Sequence, residues 1–90
     1  MNILKLQKRL IQAYRKIYWH QLQIQHRNGS LNELDEQKKL EKLDKVIQEV
    51  KQDRDLEGLR QDLHRCEGYF YLHPEARRLD IKQYTRKKIV

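Results

Sequence analysis

Four histidines, His20, His26, His64 and His73, and one cysteine, Cys66, are the side chains of this 90-residue chain best suited to metal ligation or nucleophilic attack. On a helix, two ligands can serve one ion when they stand three or four residues apart. His20 and His26 are six apart and His64 and Cys66 two apart, so neither pair shares a helix face. The spacing therefore predicts no metal site and no cofactor. His20 falls on the apolar seam of the first helical stretch and reads as an interior histidine with satisfied nitrogens. Cys66 falls on the seam of Leu56, Leu59 and Leu63 and reads as a small buried thiol. Two acidic pairs, Asp35 with Glu36 and Asp53 with Asp55, have the residue types for acid–base work. They stand among lysines, with Glu41 and Lys45 at i, i+4, which is the pattern of a solvated helix surface. A short helical chain also has little volume for a concave site, so neither catalysis nor a small-molecule substrate is expected.

The elements that would position these residues follow from apolar spacing. Ile3, Leu6, Leu10, Ala13, Ile17, His20 and Ile24 recur in steps of three and four, and Leu4, Ile11, Tyr14, Tyr18 and Leu22 widen the stripe. This predicts a long amphipathic helix with a broad buried face. Asn28-Gly29 is its expected end, and Ser30 with Glu33 reads as a capping box for a second helix from Leu31 to about Gln52. Leu40, Leu43, Ile47 and Val50 form the seam of that helix, with Leu34 and Val46 beside it. So short a connection requires an antiparallel hairpin. The phase of the seam changes at Asp53-Arg54-Asp55, where an aspartate can cap a third helix along Leu56, Leu59, Leu63, Cys66 and Phe70, with Gly68 as its stop. Beyond it, Tyr69 to Leu72 and Leu79 to Lys82 carry strand-like features, but Pro74 and Glu75 suit the start of a fourth, shorter helix. The expected fold is all-α and a single domain: a hairpin over 1–52, with a third helix and a basic C-terminal segment over 53–90.

Composition bounds the rest. Three glycines and one proline leave no linker and no phosphate-cradling glycine loop, which excludes P-loop and dinucleotide folds. A single cysteine forms no internal disulfide, which suits a cytoplasmic protein. The longest apolar run, Tyr69 to Leu72, is far short of a membrane span, and Lys5, Lys8 and Arg9 interrupt any export-signal core. Membrane association is not expected, because the apolar face of the first helix is needed for packing.

Charge is the most informative feature. Twenty Lys and Arg against thirteen Asp and Glu give a net +7, unevenly spread. Residues 1–30 carry six basic residues and no acid, residues 31–65 eight basic against ten acidic, and residues 66–90 six against three. Positive potential is thus expected on the first helix and the tail, where Lys5, Lys8, Arg9, Arg15, Lys16, Arg77, Arg78, Arg86, Lys87 and Lys88 are candidate contacts to nucleic-acid phosphates. A solvated basic face is the plainer explanation of the same residues. No zinc-finger, ribonucleoprotein or GxxG signature sharpens the choice. A winged-helix version would make Leu56 to Cys66 a recognition helix, with Arg60, His64 and Arg65 in the groove and Tyr69 to Tyr84 as the wing, but its first helix is shorter than the one expected here. Single-strand binding would instead stack bases on exposed aromatics such as Trp19, Tyr69 or Tyr71.

The competing class is a protein-interaction module, an adaptor, immunity factor or inhibitor, with Tyr18, Trp19, Tyr69 and Tyr71 as its hot spot. Trp19 lies off the main stripe and is either an anchor against the tail or a contact residue. The partner is then a nucleic acid or a nucleic-acid-binding protein. The broad apolar face of the first helix adds an expectation of homo-oligomers, since one partner helix cannot cover it.

Overall fold

The computed structural model describes residues 2–29 and 32–79. Four helices, α1 (Ile3–Arg27), α2 (Glu33–Gln52), α3 (Leu56–Leu72) and the single turn α4 (Pro74–Arg77), form a small helical bundle, with no strand among the described residues. No helix of the described residues is long and apolar enough to cross a membrane.

Local chemistry sets the boundaries. Asn2 Oδ1 accepts from the Lys5 N–H at 2.8 Å and so satisfies one of the free donors at the start of α1. At the other end Gly29 takes φ +69°, the left-handed conformation that glycine adopts without a Cβ clash, and its N–H donates to the His26 carbonyl at 3.1 Å. The start of α2 differs from the expected capping box. Asn32 is the cap, its Oδ1 accepting from the Asp35 N–H at 2.8 Å, and the helix begins at Glu33; Ser30 and Leu31 lie outside the described residues. Glu33, Asp35 and Glu36 then occupy the first turn, where the helix dipole favours them.

The third helix also runs further than expected, passing through Gly68 to Leu72. A helical glycine costs about 1 kcal/mol relative to alanine. Burying Phe70, two residues on, contributes roughly 1.5–3 kcal/mol, enough to carry the helix past Gly68. Pro74 ends α3 instead, because it disfavours helical geometry in His73 before it, and it opens α4 at the position where its missing N–H does no harm. The strand alternative for Tyr69 to Leu72 is thereby excluded. Asp80 and all that follows lie outside the described residues, so the rest of the C-terminal segment does too.

α1 is the central element: α2, α3 and α4 all pack on it, while α2 and α3 scarcely meet. Gln7, near the start of α1, donates from Nε2 to the Asp53 carbonyl just beyond α2 at 2.6 Å, which fixes the hairpin as antiparallel. The main core joins Leu6, Leu10, Ala13 and Ile17 of α1 with Leu43, Ile47 and Val50 of α2 and Leu59, Cys66 and Phe70 of α3. A smaller cluster of Trp19, Leu22 and Leu40 is covered by Leu79. Much of the wide apolar face of α1 is therefore covered within the chain, by α2 and α3 and, at Trp19 and Leu22, by Leu40 and Leu79. Leu4 and Leu34, expected beside the seams, are exposed.

Candidate functional site

α1 and α3 lie side by side, and the surface between them is a shallow groove. One part of it, about 370 Å³, is lined by Leu6, Arg9, Arg60, Leu63, His64 and Glu67. A second part, about 130 Å³, shares Arg9, Leu63 and Glu67 and extends the groove past Gln12 and Lys16 to Phe70 and Arg77. Its lining combines apolar side chains, Leu6, Ala13, Leu63 and Phe70, with the cations Arg9, Lys16, Arg60 and Arg77. Glu67 is the one acid in either lining, and Arg77 reaches it with Nη2 at 2.6 Å from Oε2 while its guanidinium lies 5.5 Å from the centre of the Phe70 ring. Lys16 Nζ donates to the Arg77 carbonyl at 2.9 Å and ties α4 to α1.

The cations expected from the sequence are therefore divided. Arg9, Lys16 and Arg77 come together along the groove. Lys5, Lys8, Arg15 and Arg78 are exposed but line no part of it. Lys8 and Arg15, seven residues apart, share a helix face that is turned by about 100° from the face of Arg9 and Lys16. Arg86, Lys87 and Lys88 lie outside the described residues. In exchange α3 brings in Arg60 and His64, which the sequence offered only within a winged helix. A signal for them was present: Arg9, Gln12 and Lys16 on one helix and Arg60, His64 and Glu67 on the other each form a polar stripe, with steps of three and four, along the edge of an apolar seam.

The four aromatic candidates form no common surface. Trp19 is only 4% exposed and is the anchor of the two roles left open, packed with Leu22, Leu40 and Leu79. Tyr18 is half-buried beneath Lys39, whose Nζ lies 5.3 Å from the ring centre, and burial, followed by the charge of Glu49, raises its hydroxyl pKa. Tyr69 is half-buried against α1. Tyr71, at 85% exposure, stands beside Leu72, at 73%.

His20 is the interior histidine the sequence indicated, at 4% exposure with both ring nitrogens engaged. Its Nδ1 lies 2.7 Å from the Tyr69 hydroxyl and its Nε2 2.9 Å from Glu75 Oε1. His73 lies beside it at 5.1 Å between ring centres, the rings tilted by 48°, and its Nδ1 is 3.6 Å from the same carboxylate oxygen. The Glu75 carboxyl is held below its usual range, first by its own backbone N–H and then by the hydrogen bond from His20. This grouping was invisible to spacing, because His20 is more than fifty residues from His73 and Glu75 and only the α1–α3–α4 packing joins them.

Cys66 and Tyr14 are arranged against reactivity. Burial, then the charges of Asp62 and Glu67, pushes the Cys66 thiol up to about 11, the reverse of the shift that activates a nucleophilic thiol. Burial and Asp62 likewise raise Tyr14 to about 12. The acidic pairs have local structural duties: Asp53 Oδ1 accepts from the Asp55 N–H at 2.8 Å, and Asp35 and Glu36 sit in the first turn of α2. No protein-family model matches the chain, and no curated protein or solved structure matches it either.

Proposed function

We propose that this chain is a small non-enzymatic binding protein that holds nucleic-acid phosphates along the groove between α1 and α3. The observation that carries the reading is the convergence of Arg9, Lys16, Arg60 and Arg77 from three helices on one open groove whose single acid already faces Arg77. Arginines on both walls suit a phosphate backbone, since guanidinium groups give paired donors and neutralise charge without reading base edges. The reading includes a cytoplasmic setting, supported by one buried, unpaired thiol. A protein partner is the alternative, and its support is the adjoining exposure of Tyr71 and Leu72.

The test is fluorescence anisotropy with random single- and double-stranded DNA and RNA across a salt series. Binding is expected to weaken steeply with salt, by roughly one power of salt concentration for each phosphate neutralised. Replacing Arg9 and Arg60 together by Glu should abolish it with the helical circular dichroism intact, whereas Lys8→Glu with Arg15→Glu should weaken it much less. No binding at physiological salt, or equal loss in both double variants, defeats the groove reading. Absence of nucleic-acid binding together with capture of a protein partner that is lost on Tyr71→Ala would favour the alternative.

A further inference from the structure

We propose that His20, His73 and Glu75 form a binding site for a divalent transition-metal ion of the zinc class. One ligand atom from each, an imidazole nitrogen of His20 and of His73 and a carboxylate oxygen of Glu75, lie within 4.8 Å of one another, and the nitrogens next to Glu75 Oε1 are Nε2 of His20 and Nδ1 of His73. For metal–ligand bonds of about 2.1 Å, tetrahedral ligands stand about 3.4 Å apart. The measured separations from Glu75 Oε1 fall on either side of that edge, 2.9 Å to His20 and 3.6 Å to His73. To close the triangle the two imidazole nitrogens must come from within 4.8 Å to that edge.

Three further features suit an ion. His20 is fixed in the core on a long helix, while His73 and Glu75 flank Pro74, whose ring restrains the backbone between them. The second nitrogen of His20 already has a partner, the Tyr69 hydroxyl at 2.7 Å. Metal-binding histidines commonly have such a partner, which sets the tautomer and orients the ring. A carboxylate can only accept, so the contact with Glu75 is made by Nε2–H, and the tautomer with one ring proton then leaves Nδ1 to accept from Tyr69. On metal binding the ring proton resides on Nδ1, Tyr69 becomes the acceptor, and the Nε2 lone pair goes to the ion. Access is open as well, because the Glu75 and His73 side chains are 60% and 41% exposed. Two imidazoles and one carboxylate favour Zn²⁺, Co²⁺ or Ni²⁺ over Mg²⁺ and Ca²⁺, which take oxygen ligands. An ion here would join α1 to the α3–α4 junction.

Titration calorimetry with Zn²⁺ and Mg²⁺ on the tag-free chain tests the site, with Co²⁺ absorption to report the geometry. Expected are one Zn²⁺ per chain, no Mg²⁺ response, visible Co²⁺ bands of tetrahedral type, and an unfolding midpoint raised by roughly 10 °C at a large excess of Zn²⁺ over Kd. His73→Ala and Glu75→Gln alter exposed side chains, so both variants should fold and lose the Zn²⁺ response. Tyr69→Phe should retain one site with affinity reduced by about tenfold, and His64→Ala should bind as the parent does. Absence of Zn²⁺ binding overturns the proposal, as does binding that survives in both His73→Ala and Glu75→Gln.

Discussion

Toward α2, α1 meets a ladder of aliphatic side chains, Leu40, Leu43, Ile47 and Val50, all buried, with Trp19 and Leu22 completing the far end. Toward α3 and α4 it meets apolar side chains, Leu59, Cys66 and Phe70, together with polar contacts, His20 to Tyr69 and Glu75 and Lys16 to the Arg77 carbonyl, and a groove lined by Arg9 and Arg60. One helix thus has two interfaces of different kinds. Burial of apolar area supplies stability without specificity, so the α2 side holds the hairpin together. Polar contacts near the surface contribute little net energy but fix positions, so the α3–α4 side can hold charged groups in place for a ligand.

Stability measurements should separate the two sides most widely. Leu43→Ala, on the α2 ladder, is expected to cost about 2–5 kcal/mol in urea unfolding, since the surrounding helices cannot fully close on the space left. A chain of this size has a total stability of roughly 5–13 kcal/mol, so that loss is a large share. Lys16→Ala, which removes the link to the Arg77 carbonyl, should cost about 1 kcal/mol or less. A reversed order would break the distinction between the aliphatic ladder, which stabilises, and the polar contacts toward α4, which position.

The alkaline limb of stability sharpens the same comparison, because both groups with large upward shifts belong to the α1–α3 side. Cys66 moves from 9.0 to about 11 and Tyr14 from 10.0 to about 12, each chiefly through burial. A pKa raised on folding means that the folded state favours the protonated, neutral form. The associated stability is therefore complete below the unfolded value and is lost as pH rises through the folded one. The urea midpoint should begin to fall near pH 9 through Cys66 and fall further above pH 10 through Tyr14. Cys66→Ala should remove the first part of the fall and leave the second. An unchanged profile in that variant would show that the thiol is not withheld from solvent in the folded protein.

What the sequence revealed divides along the same line. The α2 ladder, the glycine cap at Gly29, the phase break at Asp53 to Asp55 and the interior place of His20 were all legible, because they depend on periodicity and local backbone chemistry. The stripe of Arg60, His64 and Glu67 was readable on its own helix, but its pairing with Arg9 and Lys16, like the meeting of His20 with Glu75, depends on how α3 and α4 lie on α1, and no local pattern encodes that. Gly68 shows the same limit from the other direction: its local preference to end a helix is outweighed by the burial of Phe70, a tertiary contact. Trp19 lay between the two cases, since its position off the stripe was readable but its cover, Leu79, came from the tail.

The smallest effect expected on stability bears most directly on the groove. Glu67→Gln breaks an exposed ion pair with Arg77 and should shift stability by about 1 kcal/mol or less. The same change removes the one acid from the groove and releases Arg77 from its partner, so nucleic-acid binding should tighten several-fold at low salt. The gain should shrink as salt rises, because the added potential is screened beyond about 10 Å at 0.1 M. If affinity stays unchanged while Arg60→Glu still abolishes binding, the ligand occupies only the end of the groove formed by Arg9, Arg60 and His64. In that case Arg77 serves to hold α4 against α3, and the division between positioning and binding runs through the middle of the groove.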